Sequence, residues 1–124
     1  MRSYILIFLF AVGVALAPRP AYAGEADVVA VKAQRQGPGN WYFSVTVAHA
    51  DTGWDHYANR FEVLAPDGTV LGTRVLLHPH VDEQPFTRSV GGVKVPDHVR
   101  TVTVRAGDLM HKFGGDTKAV TLKR

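Results

Sequence analysis

His78-Pro79-His80 sets two imidazoles two residues apart, and in extended chain such side chains leave on the same side. A β-protein builds half of a metal site in this way. The chain has six histidines and no cysteine, so transition-metal chemistry here rests on imidazole with carboxylate help. A Zn or Cu ion needs three or four ligands at about 2.0–2.1 Å. His78 and His80 are expected to supply two of them, and His111 or His56 the third. A blue-copper site is excluded, because it requires a cysteine thiolate. Met110 is the single methionine besides Met1, which disfavours a methionine-rich Cu(I) carrier. A histidine site for Cu(II), Zn or Ni remains.

The elements that must position these side chains are strands. Alternation of period two dominates after residue 23, with no convincing helical period. Trp41, Phe43, Val45 and Val47 share one parity, as do Val102, Val104 and Ala106. Strands are expected at 28–34, 41–48, 57–65, 69–77, 85–90, 101–106 and 119–122. Pro66-Asp67-Gly68 reads as a hairpin turn, and Gly91-Gly92 with Pro96-Asp97 as a break before the sixth strand. Seven short strands in about a hundred residues suggest an all-β, seven-stranded immunoglobulin-like or fibronectin type III-like sandwich.

Alternating chain direction divides the loops between two ends. The loops after the second, fourth and sixth strands share one pole, which gathers His49, His56, His78, His80 and His111 and leaves His98 at the other. Asp51, Asp55, Asp82, Glu83, Asp108 and Asp116 accompany the five. His49 continues the inward parity of Trp41 to Val47, so its imidazole must be hydrogen-bonded or coordinated; a core-edge histidine satisfied by protein groups is the plainer expectation. Trp54 and Tyr57, beside Asp55, either offer a stacking platform for a sugar or peptide or fold back over the core end.

Residues 1–23 read as a secretory signal. Arg2 gives the positive start, residues 5–16 the apolar run, and Ala21-Tyr22-Ala23 the small-x-small cleavage pattern before Gly24. The apolar run falls short of the ~20 residues of a membrane span, and a lipoprotein would need a cysteine at the cleavage point. Residues 24–124 are then a single domain, exported to a periplasm or secreted, soluble and without membrane contact once the signal is removed. Loss of Arg2 and Arg19 lowers the formal net charge from +3 to +1, too slight for nucleic acid, which wants a clustered basic face. Ser44 and Ser89 lie on expected strands, so a serine triad is not supplied.

Residues 53–115 resemble a small group of uncharacterised exported bacterial proteins. The resemblance is carried by Trp54-Asp55-His56-Tyr57-Ala58, by Ala65-Pro66-Asp67-Gly68-Thr69, and by the run from His78-Pro79-His80 through Gln84-Pro85-Phe86-Thr87-Arg88. It implies a stand-alone module and transfers no catalytic residue. The expectation is a monomeric exported binding protein holding Cu, Zn or Ni through His78, His80, His111 and His56. His49, Trp54, Asp55, Tyr57, Asp82 and Glu83 would stand in support. The alternative from another class is a module that contacts an exported protein or a glycan through the same loops, without metal; a metal-dependent oxidoreductase is a third reading.

Overall fold

Inward apolar residues alternating with outward polar ones build two facing sheets, seen in a computed structural model that describes residues 24–124. The expected signal segment, 1–23, lies outside the described residues. The strands are Asp27–Gly37 (β1), Asn40–Ala48 (β2), Ala58–Leu64 (β3), Val70–Val75 (β4), Phe86–Lys94 (β5), Thr101–Asp108 (β6) and Lys118–Thr121 (β7). One sheet has the order β1-β2-β5 and the other β4-β3-β6-β7, with every pairing antiparallel. The fourth strand pairs with the third, whereas in a constant-type immunoglobulin domain it joins the sheet of the first two; the fibronectin-like version of the expected sandwich is the one formed. No helix among the described residues is long and apolar enough to cross a membrane.

Period-two sequence becomes a core because alternate side chains of a strand face opposite ways. Trp41, Phe43, Val45 and Val47 of β2 are buried, and they meet Phe61 and Val63 of β3 and Val102, Val104 and Ala106 of β6. Each fully buried Val or Phe contributes roughly 1.5–3 kcal/mol, and with no cysteine in the chain no disulfide adds to this.

One expected break is absent. Gly91-Gly92 does not end the fifth strand, which continues to Lys94. Between Trp41↔Val93 and Phe43↔Val90 the register slips, and Gly92 absorbs the extra residue with φ of 64°, a left-handed value that glycine adopts freely. The pair is therefore a bulge that lets β5 stay in the sheet.

Strand direction sets the poles as the sequence suggests. The connections from β2 to β3, β4 to β5 and β6 to β7 lie together, and His98 lies at the far end against Ala65, Pro66 and Asp67. The start of β1 also reaches the histidine pole, because Asp27 pairs with Ala48. It is fastened there: Val28 N donates to Asp116 O at 2.8 Å and Asp116 N to Asp27 Oδ1 at 2.7 Å. Gly115 fits against this run only because it has no side chain, since a Cβ would stand 2.0 Å from the Ala26 carbonyl oxygen. Gly115→Ala is accordingly expected to cost about 1–3 kcal/mol, in the range of other overpacking changes, read as a lower urea midpoint at unchanged slope.

Candidate metal centre

Four polar or charged residues are buried among those described, His49, Asp51, His80 and Asp108, and all lie at this one pole. The first follows from strand parity. His49 comes one residue after β2 on its inward side and is 4 % exposed. The chain then turns sharply: Asp51 N donates to His49 O, Thr52 N to His56 O, and His56 N to Gly53 O. Gly53, with φ of 143°, makes that turn and returns His56 toward His49 before β3 begins.

Asp51 organises the turn from inside. Its Oδ1 accepts from His49 Nδ1 at 2.5 Å and from Ala58 N at 3.1 Å, and its Oδ2 accepts from His80 N at 2.7 Å. With Nδ1 of His49 turned to Asp51, Nε2 is the ring nitrogen that faces His56 and Asp108. Gln84 ties the neighbouring loops, accepting from His49 N and donating to His80 O, both at 3.0 Å.

From the opposite sheet comes Asp108, the last residue of β6, 1 % exposed. Its Oδ1 accepts from the backbone N–H groups of Met110 at 2.8 Å and His111 at 2.5 Å. Burial works against its ionisation, but these donors, with His49 and His111 nearby, outweigh it and hold the carboxyl below its usual range. Among the described residues no lysine or arginine pairs with Asp51 or Asp108; their ion-pair partners are His49, His56, His80 and His111. Two buried carboxylates thus face imidazoles alone, and burying charge without a well-placed counter-charge is costly.

The ligand atoms converge. His49 Nε2 and His56 Nε2 are 3.2 Å apart, Asp108 Oδ2 is 3.4 Å from His49 Nε2, and Asp108 Oδ1 is 3.5 Å from His56 Nε2. Ligands of a tetrahedral ion with bonds of about 2.0–2.1 Å stand about 3.3–3.4 Å from each other. The two imidazole nitrogens stand near one such edge, each has one of the two Asp108 oxygens at a similar distance, and one ligand atom from each of His49, His56 and Asp108 lies within 4.8 Å of the others, the group of the described residues able to hold an ion. The Asp51 carboxylate behind His49 Nδ1 is the usual device for orienting a metal-binding imidazole.

The residues singled out in the sequence distribute unevenly about this centre. His56 belongs to it, while His49, expected in support, faces it directly with Asp108. His111 is at the rim, its Nδ1 3.3 Å from Asp108 Oδ2 and its ring 5.0 Å from that of His56. His78 and His80 lie in a bend rather than a strand and form a separate pair with ring centroids 4.6 Å apart. His78 is exposed with Nδ1 on Pro79 O at 3.1 Å, whereas His80 stacks on Phe86 at 4.0 Å. Asp55, Asp82 and Glu83 are exposed, and Glu83 pairs with Arg88 at 2.8 Å. Trp54 is 67 % exposed, edge-on to Tyr57 at 5.6 Å, so it does not close the core end.

His80 bears on stability more than on the centre. Neither of its ring nitrogens has a hydrogen-bond partner among the described residues, and burial holds its pKa below the usual 6.5, with Arg88 and His78 adding to the shift. The unfolded chain therefore takes up this proton before the folded one does. Its contribution is complete above about pH 6.5 and is lost as pH falls through the lower folded value. In chelator, the melting temperature of His80→Phe is expected to fall less between pH 7 and pH 5 than that of the unaltered protein.

No protein-family model matches the chain, and no solved structure matches it. A protein of Halomicrobium mukohataei named "Putative lipoprotein" is 43% identical over 96 residues, which make up 77% of this chain and 47% of that protein. The chain thus spans about half the length of the curated relative it matches.

Proposed function

We propose that this is an exported protein that binds one divalent transition-metal ion, Cu(II) or Zn(II), through His49, His56 and Asp108. The observation that carries the reading is that His49 Nε2 and His56 Nε2 stand 3.2 Å apart, close to the edge of a coordination tetrahedron, with an Asp108 oxygen 3.4 Å from the one and the other Asp108 oxygen 3.5 Å from the other. Imidazole and carboxylate donors suit Zn and Cu(II), and a dication neutralises the two buried carboxylates. Export, to a periplasm or beyond the cell, is supported by the signal-like residues 1–23 and by the name of the relative. The domain 24–124 should retain about one equivalent of Cu or Zn when purified and dialysed, by elemental analysis, and should melt at higher temperature with the metal than in chelator. Absence of both effects would falsify the reading.

A second reading, contact with an exported protein or glycan, is favoured by one observation. Trp54, Leu77, Val81 and Met110, on the three loops around the centre, are all more than half exposed, at 67, 77, 52 and 65 %. Exposed apolar groups concentrated on loops mark contact surfaces. Capture of a partner that is lost in Trp54→Ser but kept in His56→Ala would favour this reading over the metal one.

A further inference from the structure

Three protein ligands leave a metal ion with at least one position open, and the segment just before β1 comes beside one of the three, His49. The carbonyl oxygen of Gly24 is 3.0 Å from Nε2 of His49. A carbonyl oxygen only accepts, so it takes a hydrogen bond from Nε2 when that nitrogen carries a proton and is left free as a donor to an ion when Nε2 binds one. Their separation of 3.0 Å is also close to that of two ligand atoms on one ion. Gly24 is held there by the bonds between residues 27–28 and Asp116 and by the close packing of Gly115 on Ala26.

We infer that Gly24 is a further ligand of the same ion, and that it becomes a chelating one when the chain is cut after Ala23. The inference rests on the metal-binding reading. A chain that starts at Gly24 has a free α-amine three bonds from the carbonyl oxygen, so nitrogen and oxygen close a five-membered ring on one metal ion, and the ammonium proton goes to solvent. In the uncut chain the same nitrogen belongs to a planar amide, whose lone pair is delocalised into the Ala23 carbonyl and is no ligand while it keeps its hydrogen. Glycine suits the position because it turns freely about its backbone bonds. The space beside it is open, with no atom within 4 Å of where a Cβ would stand. Together with His49, His56 and Asp108 the donors are then three nitrogens with carboxylate and carbonyl oxygen, a set that favours Cu(II). Tight loading follows removal of the signal, and the precursor is spared from taking up copper at that affinity.

The domain 24–124 contains all seven strands and the core, so two forms of it provide the test. One starts at Gly24, confirmed by mass, and the other keeps Ala23; both have a free α-amine, and only its position differs. In competition titrations with Cu(II), the form starting at Gly24 is expected to bind roughly 10–100-fold tighter, as joining donors in one chelate does. Its electron paramagnetic resonance spectrum should show coupling to one more nitrogen. Equal affinity and identical spectra overturn the inference and leave the metal site standing. Failure of both forms to bind Cu(II) overturns the metal reading and this inference together.

Discussion

His56→Ala is expected to lower Cu(II) or Zn(II) affinity on the order of 100-fold or more, about 2.7 kcal/mol, while the fold survives. The size follows from position. His56 Nε2 stands 3.2 Å from His49 Nε2 and 3.5 Å from an Asp108 oxygen, so its loss removes one of three coordination bonds. Loss of a group that only orients a ligand already costs about 10–100-fold. The fold survives because His56 sits in the loop before β3 with its side chain 13% exposed, outside the apolar cluster. Asp108→Asn gives the same answer by charge: its remaining oxygen can still accept from Met110 and His111, but the anion facing the ion is gone. His78→Ala is the informative control. That ring is exposed, and its affinity should stay within about threefold, inside the scatter expected of a surface change. If His78→Ala weakened binding as much as His56→Ala, the centre would have to be moved to the 78–80 bend.

Those contrasting variants show which part of the centre the sequence carried. Parity placed His49 on the inward face, because a strand whose alternate residues are Trp41, Phe43, Val45 and Val47 has to present the next one, His49, to the same side. Strand direction placed His56 and His111 at one pole with it. The weight on His78 and His80 rests on their spacing, and their rings do lie 4.6 Å apart; but the chain bends there, one ring is exposed and the other stacks on Phe86, away from the buried carboxylate of Asp108. Asp108 was one acidic residue among six at the pole. What distinguishes it is that it ends β6 on a buried position and turns the chain with its own Oδ1, a fact of three-dimensional register. Gly24 was legible in principle, since β1 runs against β2 and must start where β2 ends. The fold was more fully legible than the centre, because seven strands need only period-two alternation and turns, whereas a metal centre needs side chains from separate loops to meet within about 3–4 Å.

Asp51 is the residue whose loss should matter most to the protein as a whole. Asp51→Ala removes the acceptor from three buried donors at once: His49 Nδ1 at 2.5 Å, Ala58 N at 3.1 Å and His80 N at 2.7 Å. An orphaned buried donor costs roughly 1–3 kcal/mol, and three in one place are partly relieved by water entering the gap. A net loss of about 3–5 kcal/mol is expected, comparable to breaking a buried ion pair and a large share of the ~5–15 kcal/mol that holds a typical domain. Urea denaturation in chelator measures it. Asp51→Asn divides structure from chemistry: one oxygen remains to accept from His49 Nδ1 and Ala58 N, while its amide nitrogen faces the His80 N–H as a second donor. That variant should fold with a smaller loss, yet bind metal about 10–100-fold more weakly, because a neutral amide polarises the His49 ring less than a carboxylate. Unchanged affinity in folded Asp51→Asn would mean that His49 is held for packing alone, and the carboxylate behind it would have no part in metal binding.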